Sequence, residues 1–236
     1  MIAVLFLASC AKEEKNTVVD WEGNEYKTRN YGGTWWMVEN LRTTRTKDGQ
    51  NILVLSEENK FSYTTPYCYF RNDNESGLKK KGCLYNWSAA NQVCPEGWHL
   101  PTIEDYTALT QYLGGVDKYC HDSNPKAIAK AMASDNDWKY SDTPGTPGFG
   151  VSFNGYRAVN NASGFNAPPV GVYTPFPYSR FWTYGERAYF WLSNEYDGNY
   201  ADGFVIYYDE PVLVRDTIDK PLGMSVRCVK DEWNEQ

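Results

Sequence analysis

The stretch from Cys94 to Gly115, reading C-P-E-G-W-H-L-P-T-I-E-D-Y-T-A-L-T-Q-Y-L-G-G, restricts the fold more than any other part of the chain. Pro101 sets the entry to a helix and Thr102 is placed to cap it. Glu104 and Asp105 put carboxylates in its first turn, where the helix dipole favours them. Tyr106, Leu109 and Leu113 recur at helical spacing on one face, and Gly114-Gly115 ends the run. Such a helix has one side to bury. Ahead of it Cys94, Trp98 and Leu100 form a short apolar run, and near the other end of the chain Met224 to Val229 alternates like a strand. A disulfide between Cys94 and Cys228 is expected to tie the helix entry to the last strand and close most of the chain into one loop.

The remainder is written in aromatic and turn residues. Among 236 residues, 42% of them hydrophobic, stand 19 Tyr, 9 Trp and 10 Phe against 19 Gly and 12 Pro. That balance favours short strands and long loops. Strand, turn and strand follow one another from Thr17 to Val38, with turns at Gly23 and Gly32-Gly33. Asn124-Pro125 reads as a cap and first helical position for a second short helix, Lys126 to Met132. From Asp135 to Pro177 Gly, Pro, Asn and Ser dominate, a loop region too long to be mere connection. Phe181 to Asn194, Gly203 to Tyr208 and Val212 to Arg215 alternate as strands, and Gly223 to Val229 closes the chain. The pattern predicts an α+β fold, two short helices packed on twisted antiparallel strands with long ordered loops. No linker interrupts residues 17–231, which are expected to form a single domain ahead of a tail at 232–236. A formal charge of -7, with no basic cluster beyond Lys79-Lys80-Lys81, gives no footprint for nucleic acid.

The apolar N-terminus ends in Leu7-Ala8-Ser9-Cys10, which resembles the lipobox of bacterial lipoproteins, although no Lys or Arg precedes it. The resemblance implies a signal peptide over residues 1–9, lipidation of Cys10 and a tether over 10–16. Lys12-Glu13-Glu14 looks like the signal that sends some lipoproteins to the outer face of the outer membrane, and reads equally as a solvated tether. No other segment approaches the roughly 18 consecutive apolar residues a membrane span needs. Contact with the lipid bilayer is therefore expected through N-terminal acyl chains. Of the other five cysteines, Cys68 is expected to pair with Cys83 across a polar turn, leaving Cys120 free.

The order of these pieces resembles the Fibrobacter succinogenes major paralogous domain, a family of bacterial secreted and lipoprotein modules. The matching segments are Asp20 to Tyr26, Trp36 to Leu41, Leu84 to Trp87, Cys94 to Thr102, Asn154 to Arg157, Phe190 to Ser193 and Ser225 to Val229. Leu192, Met224, Cys83 and Cys120 depart from the family pattern. The Gly-Trp-His-Leu-Pro-Thr box and the Cys-terminated last strand are also similar to those of C-type-lectin-like and formylglycine-generating-enzyme-like folds. This implies a C-type-lectin-like topology, an N-terminal strand joined to the C-terminal one beside two helices. The formylglycine-generating activity requires paired reactive cysteines late in the chain, and only Cys228 lies beyond Cys120.

Candidate chemistry is sparse. His99, between Trp98 and Leu100, reads as a packing and hydrogen-bonding residue. Cys120-His121 are sequence neighbours, whereas a thiol nucleophile and its base are normally assembled from distant segments. Asn194, Glu195, Asp197, Asn199 and Asp202 form an oxygen-rich loop whose spacing matches no calcium motif. Turn chemistry accounts for these residues, with calcium binding as the alternative. No catalytic centre, metal or cofactor is predicted. The aromatics of the late loops are the best binding candidates, since flat rings stack on the apolar faces of sugars. Trp182 is the expected anchor, with Tyr178, Tyr184 and Trp138 beside it and Asn194 and Glu195 as polar partners. The expected function is a non-enzymatic, lipid-anchored surface module on the bacterial outer membrane, facing the exterior and binding a glycan or another surface protein. An enzyme modifying surface glycans or proteins, or a structural subunit of a surface assembly, are the alternatives.

Overall fold

The computed structural model describes residues 16–55, 62–70, 81–151, 159–175 and 180–232. Its strands are β1 (Thr17–Val19), β2 (Glu25–Tyr31), β3 (Thr34–Met37), β4 (Leu53–Leu55), β5 (Tyr67–Tyr69), β6 (Leu84–Tyr85), β7 (Trp98–His99), β8 (Val172–Thr174), β9 (Arg180–Trp182), β10 (Arg187–Glu195), β11 (Tyr200–Tyr207), β12 (Val214–Asp219) and β13 (Val229–Lys230). Helices are few: α1 (Trp87–Ala90), α2 (Ile103–Gly114) and α3 (Ala129–Met132), with a 3-10 turn at Asp117–Tyr119. The fold is thus mostly β, built on short antiparallel sheets. The β4–β5 pair is parallel.

The helix expected at the centre forms as read. Thr102 accepts from the Asp105 backbone while the Asp105 carboxylate accepts from Thr102 N–H, a complete capping box, and Gly115 closes the other end. Leu109 and Leu113 are its buried residues. The disulfide between Cys94 and Cys228 is present. It lies beside a sheet ordered β1-β2-β3-β13-β7, in which the last strand sits between an early one and the strand that leads into α2.

The strand β10 divides the core in two. Trp191 points into a cluster with Tyr26, Met37, Tyr85, Val205 and Val226, while Phe190 and Leu192 point into a second with Trp36, Leu109, Leu113, Phe165 and Phe204. Alternation along a strand sends successive side chains to opposite faces, and here both faces are interior.

Three expectations are corrected. Cys68 and Cys83 are both buried thiols in the same core cluster, and burial is the first of the causes that push the Cys83 thiol up. The second helix shrinks to α3, because Asn124 uses its side-chain oxygen to accept Lys126 N–H at 3.0 Å and its carbonyl to accept Ala127 N–H at 2.9 Å. That local turn competes with a helix start. The closing strand is regular only at Val229–Lys230. Before it, Gly223, Met224 and Ser225 bridge in turn to Tyr173, Tyr85 and Phe190, so one extended segment stitches three sheets together. Cys10 and its neighbours lie outside the described residues.

Candidate functional site

The late loops carry a short hairpin, β8–β9, held in register by Val172 opposite Trp182 and Tyr173 opposite Phe181. Its inner face is aromatic. Tyr173 stacks on Tyr69 with ring centroids 3.7 Å apart, Phe181 meets Tyr173 edge-on at 5.0 Å, and these rings pack with Tyr67, Leu55 and Leu84. Alternation then sends Arg180 and Trp182 to the other face. The Arg180 guanidinium lies 3.1 Å from the centre of the Trp182 ring, and the indole N–H donates to Thr174 Oγ1 at 2.8 Å. Trp182 keeps 41% of its surface exposed. A ring fixed by a hydrogen bond at its edge and a cation on one face is a preorganised, flat, partly solvated platform.

The backbone behind the platform is strained. Thr183 has φ 57°, a left-handed conformation that a β-branched residue rarely adopts. Its carbonyl accepts Glu186 N–H at 3.0 Å and Arg187 N–H at 3.1 Å, which hold the turn closed. Gly171, φ 73°, lies directly under Trp182; a Cβ there would collide with the Trp182 carbonyl oxygen. Strain that surrounding structure over-determines is concentrated at functional positions.

The other sequence-predicted residues do not join this platform. Trp138, expected as a ligand contact, is only 3% exposed and belongs to the core. Tyr184 is half-buried and its hydroxyl pairs with the Lys81 ammonium, which also meets Asp137 at 3.2 Å. Asn194 accepts the backbone N–H of Ile103 at 2.7 Å, so it straps β10 to the start of α2. Glu195 forms an ion pair with the buried Lys220. Asp197 accepts from Asn199 and Tyr200 N–H at 2.8 and 2.9 Å, the turn chemistry expected of the oxygen-rich loop. Tyr178 lies outside the described residues. Arg180, Thr174 and Thr183 were not singled out from the sequence. The available signal for Arg180 was its position two residues before Trp182 in an alternating run.

Cys120 and His121 do not meet as a nucleophile and its base. The Cys120 thiol hydrogen-bonds the carbonyls of Gly114, Val116 and Leu113 at 3.4, 3.7 and 3.8 Å, while burial and then the charge of Asp117 push its pKa up. A thiol kept protonated is not a nucleophile. His121 instead faces Asp122 at 3.1 Å. His99 is held between two carboxylates, with Nδ1 2.6 Å from Asp231 and Nε2 3.1 Å from Asp105. It joins the C-terminal strand to the cap of α2.

The family model of the Fibrobacter succinogenes major domain matches residues 30–230. That span includes α2, the β8–β9 hairpin and the core clusters except Tyr26 of the first. Searches of curated proteins and of solved structures gave no match.

Proposed function

Since this chain belongs to the Fibrobacter succinogenes major domain family, we propose that it is a non-enzymatic cell-surface module that binds a glycan on the Trp182 platform. The observation that carries this reading is the exposed Trp182 ring clamped by Arg180 and Thr174 on a hairpin whose other face packs Tyr173 and Phe181 inward. A sugar ring stacks on the indole through its C–H face, and the guanidinium alongside donates to hydroxyl or carboxylate oxygens. The pairing of β13 with β3, next to the disulfide at the entry of α2, supports a C-type-lectin-like topology. A second reading, recognition of another surface protein, is favoured by the same Arg and Trp, since both residue types dominate the energetics of protein interfaces.

A glycan array probed with the chain starting after Cys10 tests the first reading. Binding that is lost in both Trp182→Ala and Arg180→Ala supports it, and an array without any signal from a folded protein overturns it. Anchoring at the outer membrane rests on Cys10. The Cys10→Ser variant is expected to leave the membrane fraction, because each buried acyl CH₂ contributes about 0.8 kcal/mol and no described helix is long and apolar enough to cross a membrane.

A further inference from the structure

Apart from the Trp182 platform, a second tryptophan is held flat at the surface. Trp21 is 62% exposed and stands in the turn between β1 and β2. A Cβ at Gly49 would lie 2.5 Å from Trp21 Cε2, and 2.7 and 2.8 Å from Cζ2 and Nε1, two atoms bonded to it. The middle atom of the three is the nearest, which places Gly49 over the ring face rather than at its edge. Gly49 has φ 80°, and a residue without a Cβ is what this approach requires. With one face laid on a glycine, an exposure of 62% leaves the opposite face to solvent.

Both sequence neighbours of Trp21 fix it in place. Asp20 Oδ1 accepts the N–H groups of Glu22 and Asn24, each at 2.9 Å, and its Oδ2 accepts the Tyr26 hydroxyl at 2.6 Å. Glu22 reaches across to a second segment, where its carboxylate accepts the Thr43 hydroxyl at 2.9 Å, Thr44 N–H at 2.7 Å and the Thr44 hydroxyl at 2.8 Å. The turn that carries Gly49 is closed by its N–H on Thr46 O at 3.0 Å and by Arg45 Nη1 on Gly49 O at 3.1 Å. Two turns are thus clamped together around one indole. Packing accounts for the covered face and not for the bare one. A single exposed aromatic is ordinary on a protein surface, but one immobilised in this way has already lost the side-chain freedom that binding would otherwise cost.

We propose that Trp21 is a second glycan-stacking site, taking a β-linked pyranose chain whose ring substituents are equatorial. The proposal takes its ligand class from the glycan reading of the Trp182 hairpin and rests on different residues. In such sugars each ring face carries only C–H bonds, which match a bare indole face. Apart from Trp21 the two turns carry polar side chains, among them Glu22, Asn24, Lys47, Asp48 and Gln50. They supply hydrogen-bonding groups for hydroxyls instead of the water-excluding surround of a protein hot spot. Arg45, tied to the glycine under the ring, adds guanidinium donors.

Nuclear magnetic resonance of the isotope-labelled full chain tests this. The indole N–H cross-peaks of Trp21 and Trp182 are assigned with Trp21→Phe and Trp182→Phe. They are then followed during titration with cellohexaose and with xylohexaose up to about 10 mM, where even a millimolar site is mostly filled. The expected result is a saturable shift of the Trp21 cross-peak with at least one of the two sugars, retained in Trp182→Ala. A Trp21 cross-peak unmoved by both sugars overturns the inference, whether or not that of Trp182 moves, and the Trp182 reading is judged by its own cross-peak. A Trp21 shift that follows protein concentration instead of sugar concentration also overturns it, since that assigns the bare face to a second copy of the chain.

Discussion

The guanidinium of Arg227 lies 4.3 Å from the ring centre of Phe165 and donates to the backbone carbonyl of that same residue. It also donates to Asn166 O at 2.9 Å and to Asn40 Oδ1 at 2.8 Å. The side chain is 2% exposed, and burial pulls its pKa down to about 9. A cation is thus kept in the interior by carbonyl dipoles and aromatic faces, and in return fixes the loop around Phe165 to the last segment of the chain.

Removing it leaves two buried acceptors, Phe165 O and Asn40 Oδ1, without that donor. Arg227→Ala is therefore expected to lose about 3 to 5 kcal/mol of stability. Arg227→Lys is expected to recover less than half of that, because one ammonium does not reproduce a planar fork. Urea denaturation of the three proteins checks both, and a loss in Arg227→Ala under about 1 kcal/mol would show that the network is dispensable.

The disulfide closes a loop with a sequence separation of 134. Chain-entropy reasoning gives it about 4 to 5 kcal/mol of stabilisation through the unfolded state. Cys94→Ala/Cys228→Ala is expected to unfold at markedly lower urea concentration, and an unchanged midpoint would refute the estimate.

Two tryptophans of the late loops separate binding from packing. Trp138 is 3% exposed and Trp182 41%, so Trp138→Ala is expected to cost about 3 to 5 kcal/mol. Trp182→Ala is expected to stay within about 1 kcal/mol of wild type while losing ligand affinity. Thermal melting of the pair decides this; equal destabilisation would move Trp182 into the core.

His99 predicts a pH dependence. The hydrogen bond with Asp105 raises its pKa most, burial opposes this, and the bond with Asp231 adds to the rise. A raised folded-state pKa stabilises the fold fully below the ordinary histidine value, and that stability is lost as pH rises through the folded-state value. For Asp105 burial acts upward, but the bonds from His99 and Thr102 outweigh it and hold the pKa low. Its contribution is present above the ordinary aspartate value and is lost as pH falls through the folded-state value. The clasp is therefore strongest in mildly acidic solution. Stability measured from about pH 6 to about pH 9 is expected to decline, and His99→Gln to flatten that decline; identical slopes would remove His99 from the account.

The sequence by itself determined the elements whose cause is local. The capping box of Thr102 and Asp105, the end at Gly114-Gly115, the turns at Gly23 and Gly32-Gly33 and the spacing of Leu109 and Leu113 rest on contacts within a few residues, so they were legible without a partner. The tie between Cys94 and Cys228 was readable too, because each cysteine belongs to a short apolar run of the sequence. Tertiary structure alone decided which aromatics are interior. Alternation along 189–192 assigns two faces, yet only the arrival of Gly223 to Ser225 and of β11 makes both of them core. Trp138 and Trp182 look alike in a loop-rich stretch, and what separates them is that Trp138 packs into the cluster around Trp36 and Phe165 while Trp182 lies on the outer face of the β8–β9 hairpin. The inward position of Arg227 was equally invisible, since a buried cation depends on carbonyls contributed from distant loops. Hydrophobic periodicity carries no record of where those carbonyls will be.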